Sequence, residues 1–154
     1  MSKKISRRDF IKTTAAAGGA AALMPQTIFS SQNKKNLRVG FIGTGLRGQW
    51  MLWLATKYPD VEIPAICDID DGMISAALKI IKDSGRKEPK VYKKNDEDFR
   101  NLVKNEELDG VYIATPWEWH HPMAVAAMKE GIHVGTEVPA ALTVNECWDL
   151  INVS

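Results

Sequence analysis

From Leu37 onward, short apolar runs of strand length alternate with longer stretches in which apolar positions recur every three to four residues. The runs predict strands over residues 37–42, 61–67, 90–92, 110–114 and 133–136. The intervening patterns predict helices over 46–57, 71–84, 96–104, 122–130 and 143–151. Repeated strand–helix units of this kind predict a parallel sheet buried on both faces. The expected class is α/β, a doubly wound parallel sheet with helices on both faces. Asp70 or Asp71 is placed to cap the second helix, and Asn95-Asp96-Glu97-Asp98 puts acidic groups at the start of the third, where the helix dipole favours them. There is no internal repeat beyond the alternation itself.

The first thirty-odd residues follow a different pattern. Lys3, Lys4, Arg7 and Arg8 form a basic segment, followed by an Ala- and Gly-rich apolar run over residues 13–24 that is too short and too weakly apolar to span a bilayer. Ser6-Arg7-Arg8-Asp9-Phe10-Ile11-Lys12 matches the signal read by the twin-arginine export machinery, an address and not an anchor. The alternative is an ordinary basic N-terminus. No Cys follows the apolar run, which argues against a lipid anchor. The expected organisation is a twin-arginine signal peptide over 1–30, a linker over 31–36 and a nucleotide-binding domain over 37–154. The expected location is periplasmic or secreted, with no stable membrane anchor.

The net charge of +1 gives no reason to expect a nucleic-acid partner. Cys67 and Cys147 are far apart and lack metal-ligand spacing, so neither a disulfide framework nor a zinc site is indicated. Both are expected to be small core residues.

Candidate chemistry begins at Gly43-Thr44-Gly45-Leu46-Arg47-Gly48, which follows the first predicted strand and opens the first helix. In that setting the three glycines form a dinucleotide fingerprint of the Rossmann type. Gly43 makes the tight turn, Gly45 lets backbone approach a pyrophosphate, and Gly48 allows close packing of helix on strand. Helix amides then face the phosphates. Leu46 and Arg47 lie in this loop, and Arg47 either reaches phosphate or is a solvated helix residue. Asp68 ends the second predicted strand, roughly twenty residues on, where a carboxylate accepts the adenosine ribose hydroxyls and repels a 2′-phosphate, favouring NAD over NADP. Its other reading is a cap on the following helix.

Thr115-Pro116-Trp117-Glu118-Trp119-His120-His121 follows the fourth predicted strand, at the sheet end that faces the ligand crevice. The residues alone leave core packing and cofactor contact both open, and adjacent histidines without a third ligand make a poor zinc site. Glu137-Val138-Pro139 follows the fifth strand, where Glu137 is equally readable as a solvated loop charge.

Taken together, the glycine fingerprint, the acidic strand end, Ala114-Thr115-Pro116 with His120, and Glu137-x-Pro139 resemble the N-terminal domain of the Gfo/Idh/MocA oxidoreductases. Within that family, Thr115 to His120, Glu137-Val138-Pro139 and Glu146-Cys147-Trp148 resemble glycoside hydrolase family 109, the exported NAD-dependent α-N-acetylgalactosaminidases. By position, the resemblance implies NAD contacts from Leu46, Arg47, Asp68, Trp117, Glu118, Trp119, His120, Glu137 and Val138. Many of the family's dehydrogenases carry Glu-Lys-Pro, with the lysine at the reacting hydroxyl. Val138 stands in its place here and cannot move a proton.

The resemblance further implies a glycosidase that oxidises, eliminates, hydrates and re-reduces its sugar. Such an enzyme departs from the usual pair of flanking carboxylates and needs no external supply of cofactor. The rival expectations are an exported sugar oxidoreductase with a retained cofactor and a non-catalytic dinucleotide-binding remnant. The final residues follow the fifth predicted helix, where a further strand is expected. A C-terminally truncated chain, with carbohydrate contacts and catalytic residues in an absent substrate domain, is therefore anticipated, and no catalytic residue is assigned to this chain.

Overall fold

A computed structural model describes residues 36–154; the expected signal peptide and all but the last residue of the expected linker lie outside the described residues. The elements run β1 (Leu37–Ile42), α1 (Leu46–Ala55), β2 (Val61–Glu62), β3 (Ala65–Cys67), α2 (Asp71–Asp83), β4 (Lys90–Tyr92), α3 (Phe99–Asn105), β5 (Gly110–Ile113), α4 (Trp117–Lys129), β6 (His133–Thr136) and α5 (Val144–Val153).

All strand pairs are parallel, in the order β4-β3-β1-β5-β6, and β2 extends the pairing of β1. The chain winds outward from β1 to β4, then returns through α3 to β5 on the other side of β1. Between β1 and β5 the winding reverses, and the crevice of such a sheet opens above that point.

Strand alternation divides the core between two faces. Ile42, Ala65, Cys67, Val111 and Ile113 pack with Phe99, Leu102, Ala124 and Ala127 of α3 and α4. Phe41 and Ile66 point the other way, against Leu52, Ile74, Ala77 and Ile81 of α1 and α2. Each buried aliphatic side chain contributes about 1.5–3 kcal/mol, so the two apolar faces fix the strand register that carries the loops.

Three boundaries differ from the sequence pattern. The second predicted strand is two short ones, because Ile63-Pro64 interrupts it and Pro64 has no N–H to give the ladder. The third helix starts at Phe99, since Asn95 and Asp98 turn the preceding residues. Glu97 N donates to Asn95 Oδ1 at 3.0 Å and Lys94 N to Asp98 Oδ2 at 2.9 Å. The fourth begins at Trp117, and Pro122 lies inside it at the cost of one helical hydrogen bond. α5 starts with a capping box, in which Thr143 Oγ1 accepts from Glu146 N at 3.2 Å and Glu146 Oε2 accepts from Thr143 N at 3.0 Å. Cys67 is buried as expected, whereas Cys147 is exposed.

Candidate cofactor site

The C-terminal ends of β1, β3 and β5 surround a cleft of about 310 Å³, bordered by Gly43, Gly45, Asp68, Asn95, Thr115 and Trp119 among others. A larger hollow of about 790 Å³ lies at the opposite end of the strands, around Arg38, Pro64, Arg86 and Lys90. Two of its cations, Arg86 and Lys90, are already engaged. Arg86 donates to the carbonyls of Thr56, Tyr58 and Val61, and Lys90 Nζ pairs with Glu106 at 2.9 Å. The C-terminal cleft is therefore the candidate site.

Its floor is built by three glycines doing different work. Gly43 has φ +85, and a Cβ there would stand 2.6 Å from Ala114 O. A Cβ on Gly48 would stand 2.0 Å from Gly43 O, so the first turn of α1 lies directly on the loop. Gly45 is different: a Cβ there would meet nothing of the protein within 4 Å. It is the N-cap of α1 and has no side-chain cap, leaving first-turn amides available to a ligand. The protein itself requires small residues at Gly43 and Gly48. The open space at Gly45, beside unpaired amides at a helix N-terminus, fits a pyrophosphate.

Asp68 ties this loop to β3. Its Oδ2 accepts from Thr44 N at 2.5 Å and from Thr44 Oγ1 at 3.0 Å, while Oδ1 accepts from Asp70 N at 3.0 Å. The cap of α2 is Asp70, whose Oδ1 accepts from Met73 N at 2.9 Å. Asp68 thus borders the cleft with its orientation fixed by three donors. Cys67 beside it has its thiol pushed up to about 12, chiefly by burial and then by the charges of Asp98 and Asp68, so it stays protonated and inert.

The β5–β6 side carries a second cluster. Arg47 Nε pairs with Glu137 Oε1 at 2.5 Å, and the Tyr112 hydroxyl donates to the same oxygen. Tyr112 and then Arg47 hold the Glu137 carboxyl below its ordinary range. Arg47 also stands over the Trp50 ring at 5.4 Å. Glu137 is therefore linked through Arg47 to the first turn of α1, and is not a lone loop charge.

The Trp117–His120 run separates on its helix. Trp119 borders the cleft and meets the Phe99 ring edge-on at 6.1 Å. Trp117 and Glu118 are exposed on the first turn. His120 is buried, with Nδ1 2.8 Å from Pro139 O and Nε2 2.9 Å from Thr115 O, so it joins the loops after β5 and β6. His121 pairs instead with Asp149 of α5 at 2.9 Å. Of the residues singled out in the sequence, Gly43, Gly45, Asp68 and Trp119 border the cleft. Gly48 lies under it, Arg47 and Glu137 meet beside it, and Leu46 and Val138 are exposed. The sequence reading missed Ile69, Met73, Asn95 and Asp96 on the cleft wall. Asn95 and Asp96 were findable, because they follow β4 at the same strand end as Asp68.

An oxidoreductase family model, described as an NAD-binding Rossmann fold, matches residues 37–153. The chain belongs to the Gfo/Idh/MocA oxidoreductase family. It is an NAD-binding domain of that family, and its cofactor is NAD. A twin-arginine translocation signal model matches residues 4–24.

Among curated relatives, a glycosyl hydrolase family 109 protein of Parabacteroides distasonis is 47% identical over 97% of this chain and 35% of its own length. An alpha-N-acetylgalactosaminidase of Tannerella forsythia is 46% identical over 97% of this chain and 36% of its own. The chain spans about a third of the length of these relatives. Among solved structures, myo-inositol 2-dehydrogenase of Lactobacillus plantarum is similar, at 28% identity and TM-score 0.64 over 77% of this chain and 33% of that one. So is myo-inositol dehydrogenase of Lactobacillus casei in complex with NAD(H) and myo-inositol, at 25% identity and TM-score 0.62 over 76% and 32%. Among the described residues no helix is long and apolar enough to cross a membrane.

Proposed function

We propose that this chain is the cofactor-holding part of an exported NAD-dependent glycosidase acting on α-linked N-acetylgalactosamine. The carrying observation is Val138: it occupies the middle of Glu137-Val138-Pro139, is 80% exposed, and has no proton to exchange. A substrate dehydrogenase working through that position needs a group that can take a hydroxyl proton. The similarity to glycosyl hydrolase family 109 relatives over 97% of the chain supports the same reading.

In this reading residues 1–30 are the signal, 31–36 a linker and 37–154 the cofactor domain, delivered to the periplasm or beyond. The amides above Gly45 hold the pyrophosphate, and Asp68 takes the adenosine ribose. Leu46, Arg47, Trp117, Glu118, Trp119, His120, Glu137 and Val138 line or support the nicotinamide half. When bound, NAD supplies a hydride acceptor whose electrons return to the sugar within one cycle, so hydrolysis is complete without net oxidation. The protein's share is to orient that group, keep water from it and retain it. The carbohydrate contacts and the acid and base groups are assigned to the part of these relatives that the match does not cover.

The experiment is to purify the chain from Leu37 onward without added nucleotide and to look for bound NAD by absorbance and mass spectrometry. The complete gene product is then assayed on α-N-acetylgalactosaminides. Bound NAD with hydrolysis and no accumulation of NADH is expected. Accumulating NADH without hydrolysis would instead establish a sugar oxidoreductase, and a folded chain that neither retains nor takes up NAD would mark a remnant.

A further inference from the structure

We propose that Tyr112 is a positioning residue, which aims Glu137 at a ribose hydroxyl of the dinucleotide on the β6 side of the glycine loop. This rests on the cofactor role proposed above for Glu137. Tyr112 lies on β5 with its ring fixed from two directions. It packs against Phe41 of β1 at 6.0 Å between centroids, and it fills the space beside Gly135 of β6, where a Cβ would come within 3.3 Å of Tyr112 Cδ2. From this seat the hydroxyl donates to Glu137 Oε1. Arg47 Nε reaches the same oxygen at 2.5 Å from the first turn of α1.

Two donors therefore share Oε1, while Oε2 accepts no hydrogen bond among the described residues. An ionised carboxylate has capacity for about four acceptor contacts, so Oε2 is the available acceptor. What it fits is a hydroxyl donor such as a ribose diol. A phosphate would be repelled by the same charge.

The two partners are not equivalent. The Arg47 side chain is 59% exposed on a flexible stem that is costly to immobilise. Tyr112 is ordered by packing whether or not a ligand is present, so it sets the direction of the carboxylate. The titratable and charged groups facing Glu137 are Arg47 from α1, Tyr112 from β5 and His120 from α4, and all three favour its ionised form. Tyr112 in turn is pushed up to about 12, first by burial and then by Glu137, so its hydroxyl keeps its proton at any working pH.

The test is NAD titration of the full chain and of Tyr112→Phe, Glu137→Ala and the double variant, from about pH 4 to pH 8. Tyr112→Phe keeps the ring packing, and melting temperatures report whether each variant folds. Losing one hydrogen bond to a charged group should weaken NAD binding on the order of 10-fold at neutral pH. In the Glu137→Ala background the same change should alter binding by less than about 2-fold, because the interaction it removes is already absent. Binding that depends on ionised Glu137 weakens as pH falls through its pKa. Without the Tyr112 hydroxyl that loss should begin at higher pH, a shift that a merely structural role would not produce. Unchanged affinity in Tyr112→Phe, or equal weakening in both backgrounds, overturns this inference and leaves the NAD reading standing. An unmodified chain that binds no NAD overturns both.

Discussion

Adding one methyl group at Gly45 or at Gly48 should separate cofactor binding from folding. At Gly48 the new Cβ would stand 2.0 Å from Gly43 O and 2.9 Å from Gly43 C. Both obstacles are backbone, so no side-chain rotation relieves them and α1 must lift from the loop by about 1 Å. Overpacking of this kind costs about 1–3 kcal/mol, and with backbone as the only neighbour Gly48→Ala should sit at or above the upper end. For a domain of this size that is a fall in melting temperature of roughly 10 °C or more. At Gly45 the backbone is φ −62, ψ −173, which alanine adopts freely, and a Cβ meets nothing within 4 Å. A less favourable N-cap costs up to about 1 kcal/mol. The stiffer unfolded chain returns about 0.4–1 kcal/mol, so Gly45→Ala should melt within about 4 °C of the unmodified protein. Its methyl group would instead enter the open space proposed above for the pyrophosphate. A steric penalty of about 1–3 kcal/mol there lowers NAD affinity roughly 10- to 100-fold. Circular-dichroism melts beside NAD titrations read both effects. The reasoning fails if the two variants lose the same stability, or if Gly45→Ala binds NAD as tightly as the parent.

Two other changes probe the same cleft. Asp68→Ala removes the acceptor of Thr44 N, Thr44 Oγ1 and Asp70 N, so it should cost about 1–3 kcal/mol in stability and also narrow the preference for NAD over NADP. Equal discrimination before and after would show that the carboxylate is only a tether. The buried Cys67 thiol, with its pKa pushed up to about 12, should resist alkylation in the folded chain at pH 8, whereas the exposed Cys147 should react. Mass spectrometry should then find one label on the native protein and two after unfolding, and rapid double labelling of the native state would contradict the packing around β3.

The sheet was largely legible from the residues, because a parallel strand covered on both faces leaves a nearly unbroken apolar run. Leu37–Ile42 and Gly110–Ile113 each come close to one, whereas His133–Thr136, at the end of the strand order, holds Val134 as its one large apolar side chain. The fingerprint was legible for the same local reason: a positive φ at Gly43 and a vanishing clearance at Gly48 leave only glycine. What local pattern hid was helix α4. Pro122 invites a helix start, since proline suits a first turn, yet buried His120 and half-buried Trp119 draw the first turn back to Trp117. Those tertiary contacts bear no mark at short sequence spacing. Because Trp117–His120 form the first turn of this helix, consecutive side chains rotate around its axis, which buries His120 and leaves Trp117 and Glu118 exposed. The Arg47–Glu137–Tyr112 cluster was likewise unreadable, as its members come from α1, the loop after β6 and β5, and meet only once the sheet has formed.

His120 has a consequence for local unfolding. With Nδ1 2.8 Å from Pro139 O and Nε2 2.9 Å from Thr115 O, its ring bridges two loops that otherwise belong to separate strand–helix units. Either loop can leave the sheet end only by breaking a buried contact with the other. Hydrogen exchange should therefore find the two loops opening together, with that side of the cleft pre-arranged for a ligand.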